Sequence, residues 1–318
     1  KTMEDNNMAI TQSDIKRVKA EGFLLNRGTE EFSGRIITEN GILTAQQMQV
    51  LSEAAAKYGN GKIEFTSRLT VECPGIHYDN IPAFQEAVKK GGMLTGGTGS
   101  KVRPVVSCKG TTCVFGLYDT QELAKEIHDK FYTGYHDVIL PHKFKIAVGG
   151  CPNNCVKPDL NDLGIVGQKV IKILPESCKG CPSCSMIDNC PMNAISMKDG
   201  KAVIDASLCN NCGRCSGTCR FGTTEESKTM YKVYVGGKWG KRVRMGSPLQ
   251  KLFTRDEVID VVEKAILLFK QKGISGERFG DTVERLGVDK VEKMLVSDNL
   301  LKRKEEILEI ETVAGAKC

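Results

Sequence analysis

Apolar and polar positions along the chain switch between two periods. The segment EFSGRIIT predicts a strand over Glu31–Thr38, and a helix opens after it at Thr44. Thr44 and Gln47 match the S/T-x-x-E/Q pattern that closes on the first free backbone N–H groups, and Gly59 supplies the stop. Strands are expected on both sides of Arg68, with a second helix over Ile81–Lys90. In KFKIAV, Lys143, Lys145 and Ala147 alternate with Phe144, Ile146 and Val148, so a strand would place both lysines on one face. Farther on, Thr254 and Glu257 cap a helix. Its stripe of Val258, Val261, Val262, Ala265, Ile266 and Phe269 recurs at helical spacing and is expected in the core. The mixture predicts an α+β chain. Gly91–Ser100 reads as a linker. Its glycine spacing is not that of a dinucleotide fingerprint and no strand feeds it, although its backbone could help cradle an anion.

Length and charge narrow the class. The 318 residues suffice for about two domains. Hydrophobic residues at 40% and charged residues at 26% fit a packed globular protein. The longest apolar stretches, such as Ala265–Phe269, fall far short of the roughly 20 residues that cross a bilayer. The polar start KTMEDNNMAITQSDIK shows no secretory signal, so a cytoplasmic protein without a membrane partner is expected. Net charge is +6 but spread out, aromatics are 6%, and no nucleic-acid-binding signature is present, so no nucleic-acid partner is expected.

Cysteine usage points to the chemistry. Fourteen cysteines could pair as disulfides, but such frameworks belong to small secreted chains, and metal ligation in a reducing compartment is the better reading. Cys178, Cys181 and Cys184 are spaced C-x2-C-x2-C and are followed by Cys190-Pro191. Thirty-one residues after Cys178 the pattern returns as Cys209, Cys212, Cys215 and Cys219, spaced C-x2-C-x2-C-x3-C. Such tight loops bring three thiolates to three corners of one cubane, with backbone amides aimed at its sulfurs. A pair of structural zinc sites is the alternative. The runs resemble a bacterial two-cluster ferredoxin, in which the fourth cysteine of each run ligates the other cluster. That resemblance implies one cluster on Cys178, Cys181, Cys184 and Cys219, and another on Cys190, Cys209, Cys212 and Cys215. Two departures stand out: five residues separate Cys184 from Cys190, and Arg220 replaces the usual proline. A further group pairs Cys108 and Cys113 in SCKGTTC with Cys151 and Cys155 in GGCPNNC. Its spacing suits another cluster, and equally zinc or a plain [4Fe-4S] site. Cys73, in TVEC, is expected in the core, and Cys318 needs no role.

The pieces TSRLTVE, KVRPVVSCKGTTC, LPHKFKIAVGGCPNNC, NDLGIVG, YKVYVGG and ERFGDTVERLG resemble the sirohaem-dependent sulfite and nitrite reductase family. In layout the chain is similar to that family's small single-repeat anaerobic sulfite reductase subunits with an inserted ferredoxin module. The resemblance implies a ferredoxin-like N-terminal half-domain over 1–95. A sirohaem-binding catalytic domain would follow over 96–173 and 224–318, interrupted by a two-cluster ferredoxin domain over 174–223. It implies sirohaem and three [4Fe-4S] clusters as cofactors. The cluster coupled to sirohaem would be held by Cys108, Cys113, Cys151 and Cys155, with Cys155 bridging to the haem iron. The first pair is C-x4-C here where the family usually has C-x5-C, which must tighten that loop.

The resemblance also places Arg68, Arg103, Lys143 and Lys145 round the distal face of the sirohaem as the catalytic cations. Charge reasoning agrees, because two lysines on one face leading into a cysteine loop invite an anion, and unpaired buried charge is costly. Arginine offers oxyanions a fork and lysine a point charge. Each cation alone has an ordinary alternative, as a solvated edge-strand lysine or a surface ion-pair arginine. His142 is placed on the strand face opposite the lysines, and His77, His128 and His136 are expected to be structural.

The activity implied is six-electron reduction of sulfite to sulfide, with electrons relayed through the iron–sulfur clusters. Nitrite to ammonium also takes six electrons, so an ammonia-forming nitrite reductase stays open, as does a non-catalytic electron-transfer subunit. Leu69 after Arg68 and Pro104 after Arg103 depart from the family near the expected pocket and leave the substrate open. No flavin or nicotinamide motif is present, so a ferredoxin or a separate reductase subunit is the expected donor. One repeat where larger relatives have two points to a homo-oligomer or a multi-subunit assembly.

Overall fold

A computed structural model describes residues 10–225 and 227–311. Cys318 and the outermost ends of the expected first and last domains lie outside the described residues. The amino-terminal part runs through α1 (Gln12–Ala20), β1 (Phe23–Leu25), β2 (Glu31–Ile37), α2 (Ala45–Tyr58), β3 (Glu64–Phe65), β4 (Val71–His77), α3 (Ile81–Lys90) and β5 (Leu94–Thr95). Its strands form one antiparallel sheet in the order β1-β2-β4-β3, with β5 also paired to β2. Thr44 and Gln47 cap α2 reciprocally as expected, and Gly59 follows its last turn. Phe23, Phe32, Ile36, Leu51, Ile76 and Phe84 make the core, and Cys73 is buried among them. Burial pushes the Cys73 thiol up to about 12, which leaves it inert.

Gly91–Ser100 is more than a linker. Leu94 and Thr95 pair with Ile37 and Ile36 as β5, because a ladder needs only backbone groups and two residues suffice at an edge.

The second part begins with β6 (Val106–Ser107), α4 (Thr120–Ile127), β7 (Ile146–Gly149) and β8 (Leu163–Val170). The chain then leaves for a small unit with α5 (Ser185–Asp188), β9 (Ile195–Lys198) and β10 (Lys201–Ile204). It returns as β11 (Lys228–Val235), β12 (Ser247–Phe253) and α6 (Arg255–Lys272). Four short helices close this part: α7 (Phe279–Leu286), α8 (Val288–Val296), α9 (Asn299–Lys302) and α10 (Lys304–Glu309). The sheet order is β12-β11-β8-β7-β6, parallel through β6, β7 and β8 and antiparallel beyond. Every residue of the stripe expected on α6 is buried in the core of this part. Val170, the last residue of β8, pairs with Lys228, the first of β11, so the small unit leaves and rejoins the sheet at one place.

The strand expected over the two lysines starts late. Regular pairing begins at Ile146, and ahead of it only Phe144 bridges to Val102. The alternation holds as far as Lys145, since Phe144 and Ile146 are buried while Lys143 and Lys145 are half-exposed, but Ala147, expected on the lysines' face, is as buried as Ile146 and Val148 because β7 is covered on both faces. Among the described residues no helix is long and apolar enough to cross a membrane.

Candidate functional site

Parallel strands β6 and β7 end side by side, and each runs directly into a cysteine loop. The Cys108 N–H donates to the Val148 carbonyl at 3.0 Å, and the Gly150 N–H donates to the Cys108 sulfur at 3.2 Å. The four residues between Cys108 and Cys113 are spent on a tight turn over Gly110–Thr112. Thr120 at the start of α4 donates its hydroxyl to the Cys108 carbonyl at 2.8 Å, and Asp119 caps the helix. The turn is closed so tightly that a Cβ on Gly116 would lie 1.9 Å from the Gly110 oxygen. In the other loop Asn154 and Lys157 take left-handed conformations, φ +57° and +49°, which fold the chain back on itself.

Cys108, Cys113, Cys151 and Cys155 all line one cavity of about 420 Å³, with Leu69 and Val156 also on its wall. Among the described residues no three His, Cys, Asp or Glu side chains converge as ligands of a single ion. Thiols spread round a space, one of them accepting a backbone N–H, could ligate a cubane corner by corner. Cys155 is exposed and the other three are partly buried. Burial, followed by the neighbouring cysteines, raises the Cys151 pKa.

Arg68 stands in the turn between β3 and β4. Leu69 donates to the Thr66 carbonyl at 3.0 Å, Thr66 to the Thr70 carbonyl at 2.9 Å, and the two threonine hydroxyls meet at 2.7 Å. Leu69 takes φ +60°, which turns the tip toward the second sheet. The Arg68 guanidinium thereby donates to Asn161 Oδ1 and to the Pro104 carbonyl, both at 2.8 Å. Arg103 donates to the Gly97 carbonyl, which also accepts from Arg35 at 3.1 Å. Behind this group, fully buried Asp162 accepts from Arg278 at 2.8 Å and from the Lys145 N–H at 2.9 Å.

These charges press on one another. Burial first, then neighbouring arginines only partly countered by Asp162, pushes Arg68 and Arg103 down to about 10. Burial, with Arg68, Arg278 and Lys143, pushes Lys145 down to about 8, and Lys143 is lowered by burial, Arg278 and Arg103. The Nε atoms of Arg68, Arg103 and Arg278 are buried without a partner. A crowd of partly dehydrated cations with unspent donors is a receptor for anions.

Arg278, Asp162 and Arg35 belong to this group and escaped the sequence reading. Arg278 lies in ERFGDTVERLG and Asp162 in NDLGIVG, so both motifs were visible while the contact between them was not. His142, set aside from the sequence, also feels this group. Burial, then Lys143, Arg278, Arg103 and Lys145, lowers its pKa, and its Nδ1 accepts the Lys143 N–H at 2.8 Å. His128 is half-buried, and desolvation pushes it down to about 4, which suits a structural role.

The ferredoxin-type cysteines gather in the small unit. Cys190, Cys209, Cys212 and Cys215 line one pocket. Cys178 belongs to a small core with Met186, Ile195 and Ala202, against which Cys184, Cys190, Cys215 and Cys219 pack. The two runs share a backbone device: Gly180 and Asn211, each two residues past the first cysteine of its run, are both left-handed. The Asn211 N–H donates to the Cys209 sulfur at 3.4 Å, and Ala202 and Ala194 donate likewise to Cys178 and Cys190 at 3.4 and 3.3 Å. Backbone N–H groups of Ala202 and Gly180 lower the Cys178 pKa, and the Thr223 hydroxyl does the same for Cys219.

Two family models, several relatives and solved structures match the chain. Residues 98–304 match the nitrite and sulphite reductase 4Fe-4S domain, and residues 26–91 match the nitrite/sulfite reductase ferredoxin-like half domain. The coenzyme F420-dependent sulfite reductase of Methanocaldococcus jannaschii is 34% identical over 248 residues, which are 77% of this chain and 39% of that protein. The chain therefore spans about two fifths of that relative's length. One of the anaerobic sulfite reductase subunits of Salmonella typhimurium is 29% identical over 266 residues, 76% of this chain and 73% of that polypeptide. The crystal structure of dissimilatory sulfite reductase I superposes with a TM-score of 0.66 at 23% identity, covering 83% of this chain and 69% of that one.

Proposed function

Because the chain belongs to the nitrite and sulphite reductase 4Fe-4S family, we propose that it reduces sulfite to sulfide at a sirohaem coupled to a [4Fe-4S] cluster. Cys108, Cys113, Cys151 and Cys155 would hold the cluster, with Cys155, the exposed one, shared with the haem iron. When bound, the sirohaem–cluster pair supplies single electrons to the sulfur of the substrate. Six are needed, since sulfur falls from +4 to −2.

The observation that carries this reading is the cationic group beside the thiol cavity. Arg68 stands in the β3–β4 turn, and the next residue, Leu69, lines that cavity, so the turn that carries Arg68 also forms part of the wall round the thiols. Arg68 and Arg103 stay charged at neutral pH even when pushed down to about 10, and would clamp the substrate's oxygens. Lys145, at about 8, carries a proton that it can release near neutral pH, and Lys143 stands next to it as a second proton donor for departing water. Asp162 holds Arg278 and the Lys145 backbone in place from behind. The segment 174–223 would act as a two-cluster relay fed by an external donor, with 1–95 supplying Arg68.

The test is anaerobic oxidation of reduced methyl viologen with sulfite or nitrite, with sulfide and ammonium quantified. Sulfide formed at the higher kcat/KM supports the proposal. Ammonium formed more efficiently would make the protein a nitrite reductase on the same machinery. Full iron content without extractable sirohaem would reduce it to an electron-transfer subunit.

A further inference from the structure

We infer that the two ferredoxin-type cysteine sets occupy fixed, unequal places in the relay: Cys190, Cys209, Cys212 and Cys215 form the inner site beside the Cys108–Cys155 cavity, and Cys178, Cys181, Cys184 and Cys219 the outer site where electrons arrive. This rests on the cluster-bearing reading above and adds an order to it.

A cleft of about 400 Å³ is lined by both Cys151 and Cys212, together with Phe115, Pro191 and Met192. It shares Cys151, Phe115 and Asn153 with the first cavity. It shares Cys212, Pro191 and Met192 with the pocket of Cys190, Cys209, Cys212 and Cys215. The lining of these three spaces includes none of Cys178, Cys181, Cys184 and Cys219.

Backbone bonds fix the arrangement. The Lys169 N–H near the end of β8 donates to the Asn211 carbonyl at 2.7 Å, and Lys169 bridges to Cys212. Gly213, at φ +75°, lets the loop lie so close that a Cβ there would be 2.7 Å from the Lys169 side chain. Strand β8 passes the base of the Cys151 loop at Val166, which pairs with Gly149, and reaches the Cys212 loop at Lys169, so one strand holds both loops. The outer set is tethered elsewhere. The Thr223 hydroxyl and the Cys219 sulfur share a hydrogen bond at 3.0 Å, Lys201 Nζ donates to the Cys178 carbonyl at 2.8 Å, and the Leu174 N–H donates to the Thr223 carbonyl at 2.7 Å.

Each step moves one electron and no atoms. A low-potential one-electron donor protein is oxidised as the outer site is reduced. The outer site is reoxidised as the inner one is reduced, and the inner one as the cavity site is reduced. Phe115 and the polarizable Met192 thioether line the last gap.

The test uses the full, reconstituted chain with haem and iron analysis on every sample. Cys181→Ala should remove the outer cluster and Cys212→Ala the inner one. In reduced samples with paramagnetic sirohaem iron, the ferredoxin-type electron paramagnetic resonance signal left in Cys181→Ala should need severalfold more microwave power to saturate than the one left in Cys212→Ala. Freeze-quench with sulfite should reoxidise the first signal quickly and leave the second reduced. If either variant fails to fold, Thr223→Val in the otherwise intact protein marks the outer cluster by shifting its potential. The shifted signal should then be the slowly relaxing one. Equal or reversed relaxation with sirohaem present overturns the order alone. Wild-type protein without sirohaem overturns the reading beneath it.

Discussion

Lys145 owes its low pKa to burial and to three neighbouring cations, and that makes activity depend on pH in a defined direction. Its ammonium deprotonates near about 8 instead of 10.5 before an anion arrives. The kcat/KM for sulfite should therefore fall above pH about 8, approaching roughly tenfold per unit, with the limb moved to higher pH in Lys145→Arg; a pH profile of both proteins checks this. Stability runs the other way. A lysine with a depressed folded pKa penalises the folded state fully below about 8, and the penalty disappears as pH rises toward 10.5. Asp162 makes the complementary case. It is fully buried against Arg278, so Asp162→Ala leaves an unpaired buried cation and should cost about 3–5 kcal/mol in urea unfolding. Cys108, Cys113, Cys151 and Cys155 could be nominated from the sequence, because loop spacing is a one-dimensional property. Asp162 could not, because its partner is over a hundred residues away in the chain.

Among the elements, α6 and the β3–β4 turn show opposite degrees of legibility. The α6 stripe and its Thr254–Glu257 capping box were both readable, since a helix is specified by contacts three and four residues apart. Thr254→Ala should lower stability by about 1 kcal/mol and leave cluster content unchanged, as thermal unfolding and iron analysis would show. The β3–β4 turn was readable only as a place between strands. That Leu69 is left-handed and Arg68 reaches Asn161 and Pro104 follows from docking one sheet on the other. Likewise, Gly91–Ser100 looked like a spacer because a two-residue edge strand leaves almost no periodic trace.

At the scale of the whole molecule, the second sheet opens at one point to admit the small unit and closes again through Val170 and Lys228. One relative is a subunit of an anaerobic sulfite reductase, so sedimentation of this protein should find a dimer or a larger assembly. A monomer of full activity would overturn that expectation. The sequence by itself determined the α+β class, the capped helices and the grouping of the cysteines, because spacing and periodicity act over a few residues. Tertiary structure alone decided which cations stand together, that Asp162 braces them, and which four-cysteine set faces the Cys151 loop. Those relations join segments far apart in the chain, and their energies depend on burial, which exists only once the sheets have packed.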